Sequence, residues 1–223
     1  MAGSTPGFAV LLFSRTTGYR HESIPAGVDA LRQLGDAHRF TVAATEDGSA
    51  FTKENLARFR VVIWLSTSGD VLDDDQRAAF EAYISEGGGY VGVHGASDTE
   101  YDWAWYGGLV GAYFRSHPEP QPATIRVRDP QHLSTAHLDP AWRRFDEWYD
   151  FRSLPGPDVT VLLTLDEGTY QGGGMGAYHP IAWCHEYEGG RGFYTGCGHT
   201  AESFSEPAFR RHLLGAIRWA AAL

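Results

Sequence analysis

Cysteine is nearly absent from this chain. Its 223 residues include only Cys184 and Cys197, in no CxxC spacing, which excludes a disulfide framework and a zinc–cysteine site and predicts a reducing, cytoplasmic setting. Basic residues are scarce as well: 18 Lys and Arg stand against 28 Asp and Glu, for a net charge of -10. No basic stripe is available to follow a phosphate backbone, so a nucleic-acid partner is excluded. No apolar run approaches the roughly 20 residues that cross a bilayer. The segment Met1–Gly7 lacks a basic leader and Phe8–Phe13 is too short for a signal-peptide core, so no membrane partner is expected. Internal repeats, low-complexity tracts and the metal spacings HxH and HExxH are all missing.

What is present is a globular balance, 43% hydrophobic and 21% charged, compatible with one domain over residues 1–223. The first half alternates strands and helices. Phe8–Ser14, Phe40–Ala44, Val61–Leu65 and Tyr90–Val93 read as buried strands. Between them, apolar spacing predicts helices from Ile24 to Gly35, from Thr52 to Phe59, and from an Asp73 cap to the glycine run Gly87–Gly89. Such alternation implies a parallel sheet with right-handed crossovers. After Thr99 the pattern loosens into an aromatic stretch, Tyr101–Tyr106, read mainly as core. Further strands at 123–128, 159–165, 180–185 and 192–196 then suggest antiparallel hairpins. The last helix is expected to be capped by Ser205, with Pro207 in its first turn.

The stretch Glu86–Glu100 organises the rest. A short strand runs into His94, flanked by Gly92, Gly95 and Ala96, the pattern of a sharp turn that presents one side chain at the rim of a sheet. That side chain is an imidazole, so covalent acyl chemistry gives way to acid/base work or metal binding. The bland alternative is a histidine that caps a helix.

Other polar residues follow strands whose carboxyl ends share one edge: His21, the loop Ser66–Asp70, Asp98, and His199 with Glu202. His21, His94 and His199 could hold zinc or a similar divalent ion, since neutral imidazole suits such metals; no nucleotide cofactor is expected. His21 has a loop hydrogen bond as an equal alternative, and His117 beside Pro118 has a turn role. His132, His137 and His212 read as surface residues, His179 and His185 as structural ones. Glu147, in the run Asp146–Asp150 beside two aromatics, suits the binding of sugar hydroxyls, while Tyr19 and Trp103 are candidate sugar-stacking rings.

Six segments together resemble the ThuA-like (trehalose-utilisation) family over nearly the whole chain: Gly18–Ile24, Gly87–Asp98, Phe114–Pro118, Asp146–Tyr149, His179–Trp183 and Gly190–Ser203. The resemblance implies the class I glutamine amidotransferase-like (flavodoxin-like) fold, a three-layer α/β arrangement. Its central sheet is mainly parallel, with helices on both faces and an antiparallel extension in the second half. In amidotransferases the elbow carries a cysteine, and a later His and Glu complete the triad; here His94 takes the cysteine's place, and His199 and Glu202 resemble the other two. Glutamine hydrolysis by that route is therefore excluded.

The resemblance further implies a carbohydrate role: a hydrolase, lyase or isomerase acting on a sugar, an oxidised (keto) sugar or a glycoside, supplied in part by a partner sugar dehydrogenase. Homo-oligomers are allowed for. The expected catalytic residues are His94, His199, Glu202 and Glu147, with His21, Asp98, His117, Tyr19 and Trp103 contacting substrate. A non-catalytic sugar-binding or regulatory module on the same fold is the competing expectation, and a metal-dependent hydrolase of another small substrate a third.

Overall fold

A computed structural model describes residues 7–223; most of the segment read for targeting signals, residues 1–6, lies outside the described residues. Five strands build the first part of the sheet. β1 (Ala9–Phe13), β2 (Thr41–Thr45), β3 (Val61–Leu65) and β4 (Gly89–Val93) come from the first half, and β11 (Gly190–Thr195) arrives from near the carboxyl end. In the order β2-β1-β3-β4-β11 all of them run parallel. Every residue of β3 and β4 is buried, which is what a strand covered on both faces requires and why these segments read as unbroken apolar runs.

Beyond β11 the sheet turns antiparallel. β10 (His179–Tyr187), β9 (Thr160–Asp166), β6 (Gln121–Val127) and β7 (Ala141–Asp146) extend it to nine strands. A separate two-stranded ribbon pairs β5 (Phe114–Ser116) with β8 (Asp150–Phe151). The strand β7 alternates exposed and buried residues, with Trp142, Arg144 and Asp146 inside.

The helices are α1 (Ile24–His38), α2 (Lys53–Leu56), α3 (Asp74–Ser85), α4 (Ala104–Val110) and α5 (Pro207–Ala220). α1 packs with α5, and α2 with α3. The expected Asp73 cap forms in full: its side chain accepts from the Gln76 N–H while the Gln76 side chain accepts from the Asp73 N–H. Two expectations at helix ends are corrected. The segment after Thr52 is helical only from Lys53 to Leu56, and Ser205 caps nothing, because a 3-10 turn over Glu202–Ser205 places Glu206 at the start of α5. Pro207 then opens the helix, where its missing N–H has no partner to lose.

His212, read from sequence as a surface residue, is instead fully buried on the inner side of α5. Its Nδ1–H donates to the Ser134 carbonyl at 2.9 Å, and its ring lies among Phe193, Phe209 and Trp142. Burial holds this imidazole neutral, with its pKa lowered to about 3. The unfolded chain takes up that proton near pH 6.5 and the folded chain does not, so stability is lost as pH falls from about 6.5 toward about 3. The slope from this group is at most about 1.4 kcal/mol per pH unit. In urea titrations between pH 7 and pH 4, His212→Asn is expected to show a shallower decline of stability with acid than the wild type; parallel declines would refute the assignment.

Candidate functional site

The site is assembled where the parallel pair β4 and β11 ends. Val93 and Thr195 are register partners, so the residues that follow each strand emerge side by side. His94 takes the first position after β4 with φ at +49°, a left-handed conformation that a β-substituted residue adopts at a cost of order 1–3 kcal/mol. The adjacent Gly95 is tightly enclosed: a Cβ there would lie 3.0 Å from the Thr67 carbonyl oxygen, so a side chain fits only if its neighbours shift. This is the sharp turn that the glycine-flanked histidine implied.

From that turn the His94 ring is fixed at both nitrogens. Its Nδ1–H donates to the Gly196 carbonyl at 2.9 Å, which leaves Nε2 as the lone-pair nitrogen. Nε2 lies 3.3 Å from Glu147 Oε2 and 3.2 Å from His199 Nδ1. His199 Nδ1 is itself 3.1 Å from Glu147 Oε2, and His117 Nδ1 approaches Oε1 of the same carboxylate at 3.1 Å. His21 completes the group from the loop after β1, its ring edge-on to those of His94 and His199. One ligand atom from each of His21, His94, Glu147 and His199 lies within 4.8 Å of the others.

Charge in this pocket follows from those contacts. Burial works to raise the Glu147 pKa, but the hydrogen bond from His199 and the surrounding imidazoles outweigh it, so the carboxylate stays ionised well below the usual range. Burial works to lower His199, yet its bond to Glu147 and the charges of Glu147 and Asp146 raise it. Burial, aided by the neighbouring His94 and His199, lowers His21 to about 3, so that ring is neutral. Its Nε2 meets the Tyr149 hydroxyl at 3.3 Å while Nδ1 is buried with no partner.

This donor set fits a divalent cation. Three imidazoles and one carboxylate supply the nitrogen and oxygen ligands that zinc takes in four-coordinate sites. A cation there would take the lone pair on His94 Nε2, and His21 offers it a neutral ring with one buried nitrogen that has no partner among the described residues. The carbonyl that accepts from His94 Nδ1 is the kind of outer contact that orients a metal-binding histidine.

The remaining sequence candidates fall at different distances from this centre. His117 borders it, half-exposed, with its ring stacked on Tyr149. Tyr19 is 63% exposed and rests against His21 at 4.8 Å between ring centroids. Asp98 lies just beyond the turn, its pKa raised by burial against the opposing hydrogen bond from the Tyr101 hydroxyl. Two expectations need correction. Trp103 is not brought to the site: it is buried on Trp105 and Tyr106, with its Nε1–H donating to Glu81 at 2.9 Å. Glu202 is exposed on the 3-10 turn and makes no hydrogen bond to His199; Glu147 holds that relation instead.

Two residues of the site escaped sequence reasoning. Asp146, fully buried, accepts from the N–H groups of Gly198 at 2.8 Å and His199 at 3.0 Å and pairs with Arg144 at 3.2 Å, which fixes the loop carrying His199. Gly198 needs its glycine there, with φ at +111°. A signal for Asp146 existed: Trp142, Arg144 and Asp146 recur at period two, so a charged pair shares the buried face of a strand. Tyr149, whose ring lies 4.2 Å from His94, had no such signal.

The sequence profile of the ThuA family, described as trehalose utilisation, matches residues 9–220. The chain belongs to the ThuA family. Among solved structures, it is similar to a ThuA-like protein from Bacteroides uniformis, with 26% identity and a TM-score of 0.85 over 98% of this chain and 94% of that one. A ThuA-like protein from Parabacteroides merdae matches with 21% identity and a TM-score of 0.80, covering 96% and 90% of the two chains. A Thermoplasma acidophilum protein described as part of a GMP synthase shares the fold with 12% identity and a TM-score of 0.55 over 96% and 94%. No curated protein matches the chain. The family has the glutamine amidotransferase-like fold, and its description places the protein in carbohydrate utilisation. Among the described residues, no helix is long and apolar enough to cross a membrane.

Removing the buried Asp146 carboxylate leaves the Arg144 guanidinium, itself only 6% exposed, with Glu206 at 3.2 Å as its remaining charge partner and frees the Gly198 and His199 N–H groups. Asp146→Ala is therefore expected to lower unfolding free energy by about 3–5 kcal/mol, read from urea denaturation. A loss under about 1 kcal/mol would show that the pair does not hold the loop.

Proposed function

We propose that this ThuA-family protein is an enzyme of carbohydrate metabolism that acts on a sugar, an oxidised (keto) sugar or a glycoside at the His21–His94–Glu147–His199 cluster. The observation that carries this reading is the convergence of three histidines and a buried carboxylate, from four separate segments, where the fold would otherwise present an amidotransferase nucleophile. A structural role alone would not call for a strained backbone at His94 or an unpartnered nitrogen on His21.

The residues divide the work by their protonation. His199, shifted upward, carries a proton on Nδ1 that points at Glu147 and can be given to a leaving or carbonyl oxygen. His94, with its proton committed to Gly196, offers Nε2 as a base for a hydroxyl or an acidic C–H beside a ketone. Glu147 stays charged and stabilises positive charge on either imidazole as protons move. A divalent ion held by His21, His94, Glu147 and His199 would occupy those same ring nitrogens and supply Lewis-acid polarisation of a sugar oxygen in place of their proton transfer. His117, Asp98 and Tyr19 would contact substrate at the rim, and a sugar dehydrogenase is the class of enzyme that would supply an oxidised sugar.

Glutaminase chemistry does not fit. The elbow lacks a thiol, and Cys197, which precedes His199 by two residues, is fully buried with its pKa pushed up to about 12. A non-catalytic sugar-binding module is the competing reading, and chemical conversion of a bound sugar separates the two.

Elemental analysis of protein produced with zinc is expected to show about one equivalent per chain, lost in both His94→Ala and His199→Ala. Turnover of keto-sugars and glycosides is expected to fall at least a hundredfold in the same variants. Undiminished metal content and turnover in both variants would overturn the proposal, while sugar binding without conversion by the wild type would favour the module.

A further inference from the structure

The nine-stranded sheet ends at β7, which pairs with β6 alone. Beyond the paired residues the Val127 N–H donates to the Pro140 carbonyl at 3.1 Å, so the even-numbered residues of this segment turn their backbone groups toward β6. Ala141, Arg143 and Phe145 turn theirs outward by the same alternation. Asp139 continues the line, because a residue before proline is held extended. None of these outward N–H and C=O groups has a partner among the described residues.

An open edge is a template for another strand, and folded chains usually blunt it with charge, proline or a covering segment. Here the edge carries one charge of each sign. Arg143 and Asp139 are both exposed, and neither side chain has an ion-pair partner among the described residues. Phe145, 51% exposed, and Arg143 line a groove of about 570 Å³ beside the strand, so that side of β7 is open. A second copy of this chain is the partner that these charges fit, because a two-fold axis turns the strand's own order into a complementary one. Centred on Ala141, antiparallel pairing sets Arg143 opposite Asp139 of the other copy, and the symmetry repeats the pair. Centred on Arg143, it sets two guanidinium groups face to face; centred on Trp142, it sets Arg143 opposite Ala141. Charge therefore selects the first register.

We infer that β7 is a dimerisation edge: two copies pair antiparallel through residues 139–143, centred on Ala141 and flanked by two Arg143–Asp139 ion pairs, and so join their sheets into one. The outward groups of Asp139, Ala141 and Arg143 supply about six backbone hydrogen bonds in this register. So short a contact falls below the roughly 20–30 residues a side of a standard interface, so the dimer forms reversibly. β7 runs directly into Asp146 and Glu147, and the same contact braces the strand that delivers both carboxylates to the site.

The test is analytical ultracentrifugation of the full chain from about 1 μM to about 1 mM, where the wild type is expected to pass from the mass of one chain to that of two. Arg143→Asp sets like charges opposite each other twice and is expected to weaken the dimer at least about tenfold. Ala141→Pro removes an outward N–H that the monomer does not use, and is expected to abolish the dimer while circular dichroism stays that of the wild type. The double variant Arg143→Asp/Asp139→Arg reverses both ion pairs and is expected to restore wild-type association. A wild type that stays monomeric throughout overturns the interface, and so does a dimer that survives both single variants. Charge reversal that fails to restore a dimer lost in Arg143→Asp overturns the register on which the pairing rests.

Discussion

One buried carboxylate sets the terms for the whole site. The Glu147 side chain is only 5% exposed, and an ion so placed costs several kcal/mol unless its charge and lone pairs are met. They are met by imidazoles from other parts of the chain, His199 at Oε2 and His117 at Oε1, with the His94 ring beside Oε2 at 3.3 Å. Because each ring arrives on a different segment, this one charge fixes the mutual positions of the turn after β4, the loop after β11 and the segment after β5. Its neighbour Asp146 does the matching work on the backbone, receiving the Gly198 and His199 N–H groups. Two consecutive acids at the end of one strand thus hold the side chain and the main chain of the same loop.

The sheet explains why those segments meet at all. β11 enters beside β4 in parallel although nearly a hundred residues separate them, and the antiparallel strands β10, β9, β6 and β7 follow outward from it. Had β11 paired in the other sense, His199 would leave the sheet at the opposite edge from His94. The parallel register therefore does for the site what sequence proximity cannot, and the carboxyl end of the sheet is where such loops collect. Strain at His94 is tolerated because Gly95 lets the turn pass close to Thr67 and because the Gly196 carbonyl fixes the ring.

Much of this was legible in the residues. The buried runs of β3 and β4, the Asp73 cap and the glycine-flanked His94 follow from periodicity and turn chemistry, which are local. The grouping of His21, His94 and His199 was legible because all three follow parallel strands. What escaped was set by contacts distant in sequence. Glu147 could be suspected but not joined to His199, since β7 lies at the far edge of the sheet and returns to the site only through the segment after it. Glu202 sat three residues from His199 and drew the triad role that Glu147's geometry holds. Trp103 and His212 were misplaced for a simpler reason: side chains with a polar atom are compatible with a rim or with a core that supplies one acceptor, and here Glu81 and the Ser134 carbonyl supply it.

The exchange of a thiol for an imidazole at the elbow changes the class of chemistry that the scaffold can support. A cysteine there would need a thiolate, and the local field does not supply one at the available sulfur: Cys197 sits fully buried with its thiol held protonated by burial, even with the Arg144 charge working the other way. The histidines, by contrast, converge on one carboxylate: His94 commits Nδ1 to Gly196 and turns Nε2 inward, His199 turns Nδ1 to Glu147, and His21 keeps a buried nitrogen with no partner among the described residues. Such a centre exchanges protons or ligates a cation but forms no acyl intermediate. The absence of an elbow thiol removes the amidotransferase route, and the proposed acid/base chemistry at oxygen, or at carbon beside a carbonyl, rests on this arrangement of imidazoles and carboxylate.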